Sequence, residues 1–140
     1  MIDFDRIENV PFIFLRGNGY SEQHLKSYLD FAPSWLPEDY VNLFTNVSEA
    51  GIYGMELVPP APTLTGPNSL YDLNRQFLKE YPSERSSFPI AKMDEESFVI
   101  FKHHNDETVC GRYNFQDDAW YHGPYPTFTD WVYSFLGRKG

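Results

Sequence analysis

One cysteine, Cys110, stands in 140 residues, which excludes an internal disulfide and points to a reducing, cytoplasmic setting. No apolar run approaches the roughly 18 residues that a bilayer crossing needs. The opening MIDFDRIENV has neither the basic nor the apolar region of a signal peptide, so neither a membrane anchor nor a secreted address is expected. Positive charge is also scarce: 11 Lys and Arg face 20 Asp and Glu, a formal net charge of -9. A field of that sign repels phosphate backbones and attracts cationic surfaces, which disfavours direct nucleic-acid binding. GxSxG, P-loop, GxGxxG and HExxH patterns are missing, and GNG at Gly17 to Gly19 is too short to cradle a phosphate.

What remains is a chain of ordinary globular composition, long enough for one domain with its own core. Aromatic residues make up 18%, more than such a core absorbs, so some Tyr and Trp rings are expected at a surface that meets a partner.

Hydrophobic periodicity then orders the chain. VPFIFLR, Val10 to Arg16, reads as a strand or extended arm within residues 1–20. In SEQHLKSYLDFA, Leu25, Tyr28, Leu29 and Ala32 share one helical face behind Ser21 as N-cap. SWLPEDYVNLF is a helix start, with Pro37 at the first helical position and Glu38 and Asp39 against the positive end of the dipole. Trp35 and Tyr40 are spaced to clasp across that start, and Leu36, Tyr40, Leu43, Phe44 and Val47 form its core face. GIYGMELVPP reads as one strand, APTLTGPN as a loop, and SLYDLNRQFLKEY as a helix capped by Ser69 and Asp72.

From Phe88 the period becomes two. FPIA, SFVIFK, TVCGRYNF and AWYHG are four short runs separated by acidic turns, the pattern of an antiparallel meander. TFTDWVYSFLG closes the chain as a helix with Phe128, Trp131, Val132, Phe135 and Leu136 on one side and Gly137 as the stop. The expectation is a single α+β domain over residues 1–140. Its core runs from 21 to 136, with helices packed against one mostly antiparallel or mixed sheet of about five to six strands.

Reactive groups give little. His103 and His104 are adjacent, followed by Asp106, but neighbouring strand residues point to opposite faces, so a solvated turn explains them better than a shared ligand. His24 and His122 have no ligand at metal spacing nearby, and Cys110 in VCG reads as a core thiol. No catalytic set, metal or cofactor is expected. Charge is more informative: between Asp94 and Asp118 seven acids (Asp94, Glu95, Glu96, Asp106, Glu107, Asp117, Asp118) stand against Lys102 and Arg112. With Trp120, Tyr121 and Tyr125 on a Pro/Gly-rich loop, these acids are the candidate surface for a basic protein partner. The plainer readings are solvated turns and core-edge rings.

WLPEDYVNLF resembles the LPxDY-containing helix of the SUKH superfamily, which includes fungal cell-wall assembly regulators and many bacterial immunity proteins. GIYGMELV, LYDLNRQF with Asn74, Phe88 to Ala91, SFVIF, TVCGRY and TFTDWVYSFL follow in the family's order, so the likeness spans Ser21 to Leu136. NVSEAG stands where the family commonly has Gly-Gly, and KMDEES replaces its acidic glycine-rich turn. The resemblance implies a non-enzymatic module that binds a cognate toxin, often a nuclease, and blocks it. Trp35, Leu36, Pro37, Asp39 and Tyr40 are its structural signature and not its contact residues. A housekeeping scaffold of the same fold is the alternative, and a small hydrolase using His103, His104 or His122 with Asp106 is a third reading.

Overall fold

The period of two that starts near Phe88 becomes a four-stranded antiparallel meander in the computed structural model, which describes residues 1–61 and 69–136. Its strands are β4 (Ser87–Lys92), β5 (Ser97–His104), β6 (Glu107–Asn114) and β7 (Ala119–Tyr125), hydrogen-bonded in that order. Asn105 and Asp106, with φ of 50° and 62°, form the two-residue turn between β5 and β6, which suits residues that tolerate the left-handed region. In β5, Val99 and Phe101 face the main core while Phe98 and Ile100 face a second, smaller one. This sheet is therefore covered on both faces.

A separate antiparallel sheet is built from β1 (Ile13–Arg16), β2 (Glu49–Ile52) and β3 (Met55–Leu57). The expected single strand GIYGMELV folds back on itself at Tyr53 and Gly54, whose φ values of 50° and 80° give a tight hairpin turn matched to strand twist. The expected single sheet of five to six strands is corrected accordingly: seven strands among the described residues lie in two sheets, and every pair is antiparallel. The sheets meet where the Val58 N–H donates to the Ile90 carbonyl at 2.8 Å.

Helices begin where their caps are written. Ser21 accepts from the His24 N–H at 3.1 Å ahead of α2 (Glu22–Tyr28). Ser69 accepts from the Asp72 N–H at 3.1 Å and donates to its carboxylate at 2.9 Å ahead of α4 (Leu70–Glu80). Thr127 accepts from the Asp130 N–H at 3.0 Å ahead of α5 (Phe128–Tyr133). Beyond Tyr133 the chain tightens into three-residue turns that still bury Phe135. Pro62 to Asn68, from the expected loop, and the Gly137 stop lie outside the described residues. Residues 1–20 hold a short helix, α1 (Phe4–Ile7), with Ile2 and Ile7 buried and the Arg6 guanidinium 4.0 Å over the Tyr133 ring. Among the described residues no helix is long and apolar enough to cross a membrane.

The LPEDY segment starts α3 (Glu38–Asn46), with Pro37 as the N-cap and not the first helical residue. Tyr40 is then the third helical residue, so the Trp35–Tyr40 clasp has the wrong spacing; Trp35 instead stacks on His103 at 5.0 Å and 5°. Tyr40 is wholly buried among Phe44, Phe101 and Phe128, and its hydroxyl donates to the Val58 carbonyl at 2.6 Å. On the far face of the meander, α4 packs Phe77 against Phe98 at 5.2 Å. Buried Asn74 donates to the Pro89 carbonyl at 3.1 Å, beside the register shift in β4. Replacing Tyr40 by Phe keeps the ring and strands the Val58 carbonyl, so urea denaturation should show a loss of about 1–2 kcal/mol.

Candidate functional site

A meander places alternate turns at the same end of its sheet. The β4–β5 turn with Asp94, Glu95 and Glu96 and the β6–β7 turn with Asp117 and Asp118 therefore share one end, while Asp106 and Glu107 lie at the other. The sequence groups seven acids; the topology divides them five and two. The two turns are joined through Glu96. The Phe115 N–H donates to the Glu96 carbonyl at 2.8 Å, and the Gln116 amide, oriented to satisfy both groups, donates to the Glu96 carboxylate.

Three tyrosines register the resulting field. Tyr113 donates its hydroxyl to Asp118 and Tyr121 donates to Asp117. Burial first, and then the Asp118 hydrogen bond, push the Tyr113 phenol up to about 12. Tyr121 is raised mainly by its bond to Asp117, then by loss of water and by the charges of Asp117, Asp94 and Glu96. Tyr81 is raised by burial first and then by Glu80, Glu96, Glu95 and Asp94, and its hydroxyl donates to the Glu95 carbonyl at 3.3 Å. Each shift has the same sign because loss of water, a hydrogen bond from the neutral phenol and neighbouring carboxylates all disfavour the ionised form.

The carboxylates differ in what they are free to do. Asp94 accepts from the Glu96 and Ser97 N–H groups at 2.9 and 2.8 Å, which shapes the turn. Asp117 and Asp118 each hold a tyrosine. Glu95 has a side chain 82% exposed, with only a 3.5 Å pairing to Lys92, and is the acid best placed to face a partner.

The aromatic stretch from Trp120 to Tyr125 is a strand and not a loop, because β7 pairs with β6 along it. Strand alternation, broken by register shifts, separates the rings. Trp120 packs edge-on against Tyr113 at 5.1 Å in the smaller core, and Tyr125 packs against the main core. Tyr121, 51% exposed, is the ring that faces solvent beside the acids. Tyr81 joins this end as well. The sequence placed it on the apolar stripe of α4, and nothing in its spacing marks the proximity to Glu95.

Reactive side chains fall elsewhere. His103 sits under Trp35 with Nδ1 2.9 Å from the Thr108 hydroxyl, while His104 is exposed, so the two imidazoles diverge. Cys110 is buried beside a cleft of about 350 Å3 lined by Trp35, Pro37 and Asp39, and burial pushes its thiol up, keeping it protonated. His122 Nε2 lies 2.8 Å from the Ser134 hydroxyl, but Ser134 donates its one hydrogen to the Trp131 carbonyl at 2.5 Å. With that hydrogen committed to a carbonyl, the pair is not set as a histidine activating a serine. Among the described residues no group of three or more His, Cys, Asp or Glu side chains is placed to hold a metal ion.

Comparison with models of protein families finds none that matches the chain, and comparison with curated proteins finds none either.

The Tyr113 environment makes stability depend on pH in a definite direction. An unfolded tyrosine releases its proton near 10 and Tyr113 near 12, so the contribution present below pH 10 is lost as pH rises through this window. Burial also raises Tyr40, so phenolate absorbance in folded protein should show more than one late-ionising group, and Tyr113→Phe should remove one phenol's share of the signal near pH 12. An unaltered titration curve in that variant would contradict the assignment.

Proposed function

We propose that this chain is a non-enzymatic, SUKH-like immunity protein that binds and neutralises a cognate toxin with a basic surface, such as a nuclease, in the cytoplasm. The reading is carried by one observation: two acidic turns are joined at the Glu96 carbonyl and set beside Tyr121 and Tyr81, giving a negative, partly aromatic surface at one end of the meander. Aligned charge steers a cationic partner into encounter, and tyrosines supply contact area at low entropic cost. Neutralisation needs no reaction. A protein seated on the toxin's basic face occupies the surface that nucleic acid would use.

Trp35, Leu36, Pro37, Asp39 and Tyr40 stay outside this interface, since their side chains or backbone are engaged in placing α3. Asp106 and Glu107 are dropped from it because they lie at the opposite end of the sheet. Trp120, next to the β6–β7 turn, supports it from the smaller core, while Tyr125, paired with Cys110 toward the other end of β7, is dropped from it.

The test uses the cognate toxin, sought first as the product of the adjacent gene. Glu95→Lys disturbs no turn bond, so it should slow association by roughly threefold to tenfold and flatten its salt dependence while leaving thermal stability in place. Occlusion further requires that an equimolar complex has lost toxin activity. Association unchanged by Glu95→Lys, or a toxin still active in the complex, would defeat the proposal.

A further inference from the structure

The outward face of the three-stranded sheet carries a groove of about 630 Å3. Register sets Phe14 opposite Gly51 and Gly51 opposite Glu56, so the row across the sheet reads ring, bare backbone, carboxylate. Phe14 is 44% exposed and the neighbouring Phe12 55%. Phe12 also holds a φ of 72°, a region that a bulky side chain enters only when its surroundings hold it there. Its ring is braced against Tyr53 at 5.2 Å.

Neither φ nor a Cβ clash requires glycine at Gly51, over which the Phe14 side chain leans at 3.8 Å from the Cβ position. The glycine's φ lies outside the left-handed region, and an added Cβ would meet nothing closer than the Met55 carbonyl at 3.6 Å. Every other described glycine either has a positive φ or, like Gly111, would drive its Cβ to 2.5 Å from a backbone oxygen. Glycine weakens a strand interior, and one that sterics do not demand marks a place where another chain comes close to the backbone.

The groove's walls say what that chain carries. Phe14 offers an apolar wall and a π face, while Glu49 and Glu56 put carboxylates on the rim. A long apolar stem with a cationic head satisfies both. Arg16 does this in part within the chain: its guanidinium lies 4.5 Å from the Phe14 ring and 4.0 Å from Glu49, with a side chain still 68% exposed and displaceable. A second copy of the chain would bring another charge of -9 and be repelled.

We propose that the groove over Gly51 is a docking site for a basic segment of a partner protein, which lays a Lys or Arg stem on Gly51 against Phe14 with its charge at Glu56. The site lies on the other sheet from the acidic turns and does not depend on the toxin-binding reading.

The test follows backbone amide shifts while a short peptide of alternating lysine and valine is added, with the glutamate–valine peptide as control. The lysine peptide should move the amides of Phe14, Gly51 and Glu56, with an affinity that falls as salt rises; the control should not. Gly51→Val fills the floor and should weaken binding about tenfold without loss of thermal stability, and Glu56→Gln should weaken it severalfold. Glu95→Lys should leave this titration unchanged. Shifts confined to the acidic turns, undiminished binding by Gly51→Val, or concentration-dependent shifts without peptide, which indicate a second copy, would each overturn the proposal. Should Gly51→Val not fold, Gly51→Ala, whose methyl has room, takes its place: it should weaken binding in the same direction, and undiminished affinity there would overturn the proposal equally.

Discussion

Two consecutive side chains, Asp39 and Tyr40, hold the parts of this protein in place. The Asp39 carboxylate accepts from the Thr129 N–H at 2.9 Å and from its hydroxyl at 2.8 Å, across 90 residues of chain. Thr129 is the second residue of α5, whose N–H has no partner within the helix, so Asp39 caps a helix other than its own. Tyr40 works in the other direction, reaching the Val58 carbonyl whose own N–H binds Ile90. One turn of α3 thus fixes the last helix, the end of the small sheet and the first strand of the large one. Tyr40 is wholly buried, which raises the value of its bond because water is not there to replace a lost partner, whereas Asp39 is half-buried at the edge of the Trp35 cleft.

With the LPEDY segment committed inward, the remaining chemistry is at the surfaces. Burial holds Cys110 as a thiol, and His122 and Ser134 form a clamp against α5. The two sheets then present different outer faces. At one end of the meander, acids are brought together by turn topology and their field is felt by Tyr81, Tyr113 and Tyr121. On the three-stranded sheet, apolar rings stand beside a strand glycine with carboxylates at the rim. Both are negative, in keeping with the chain's overall charge, yet they differ in kind: the first is a cluster of turn carboxylates and the second a groove with an aromatic wall and a carboxylate rim.

Helices are legible in the sequence because a cap is a local event. Ser21, Ser69 and Thr127 each bind an N–H three residues on, so the signal and its cause lie within one turn. The meander is equally readable, since a period of two broken by acidic turns leaves few other arrangements. GIYGMELV has the look of a single strand because its apolar pattern runs on through the hairpin. Only the backbone at Tyr53 and Gly54 shows the reversal. Pro37 stands one place earlier than its residue type suggests, because proline fits a cap and a first turn about equally well.

The sequence by itself determined the caps, the amphipathic faces, the four-strand run and the sign of the charge, all of which depend on residues within a few positions of one another. Tertiary structure alone decided which acids meet, which ring of β7 faces water, where Asp39 points and that Gly51 lies open. Those depend on strand register and on contacts between segments as much as 90 residues apart. A one-residue slip in pairing turns every side chain to the other face, and no local pattern fixes that choice.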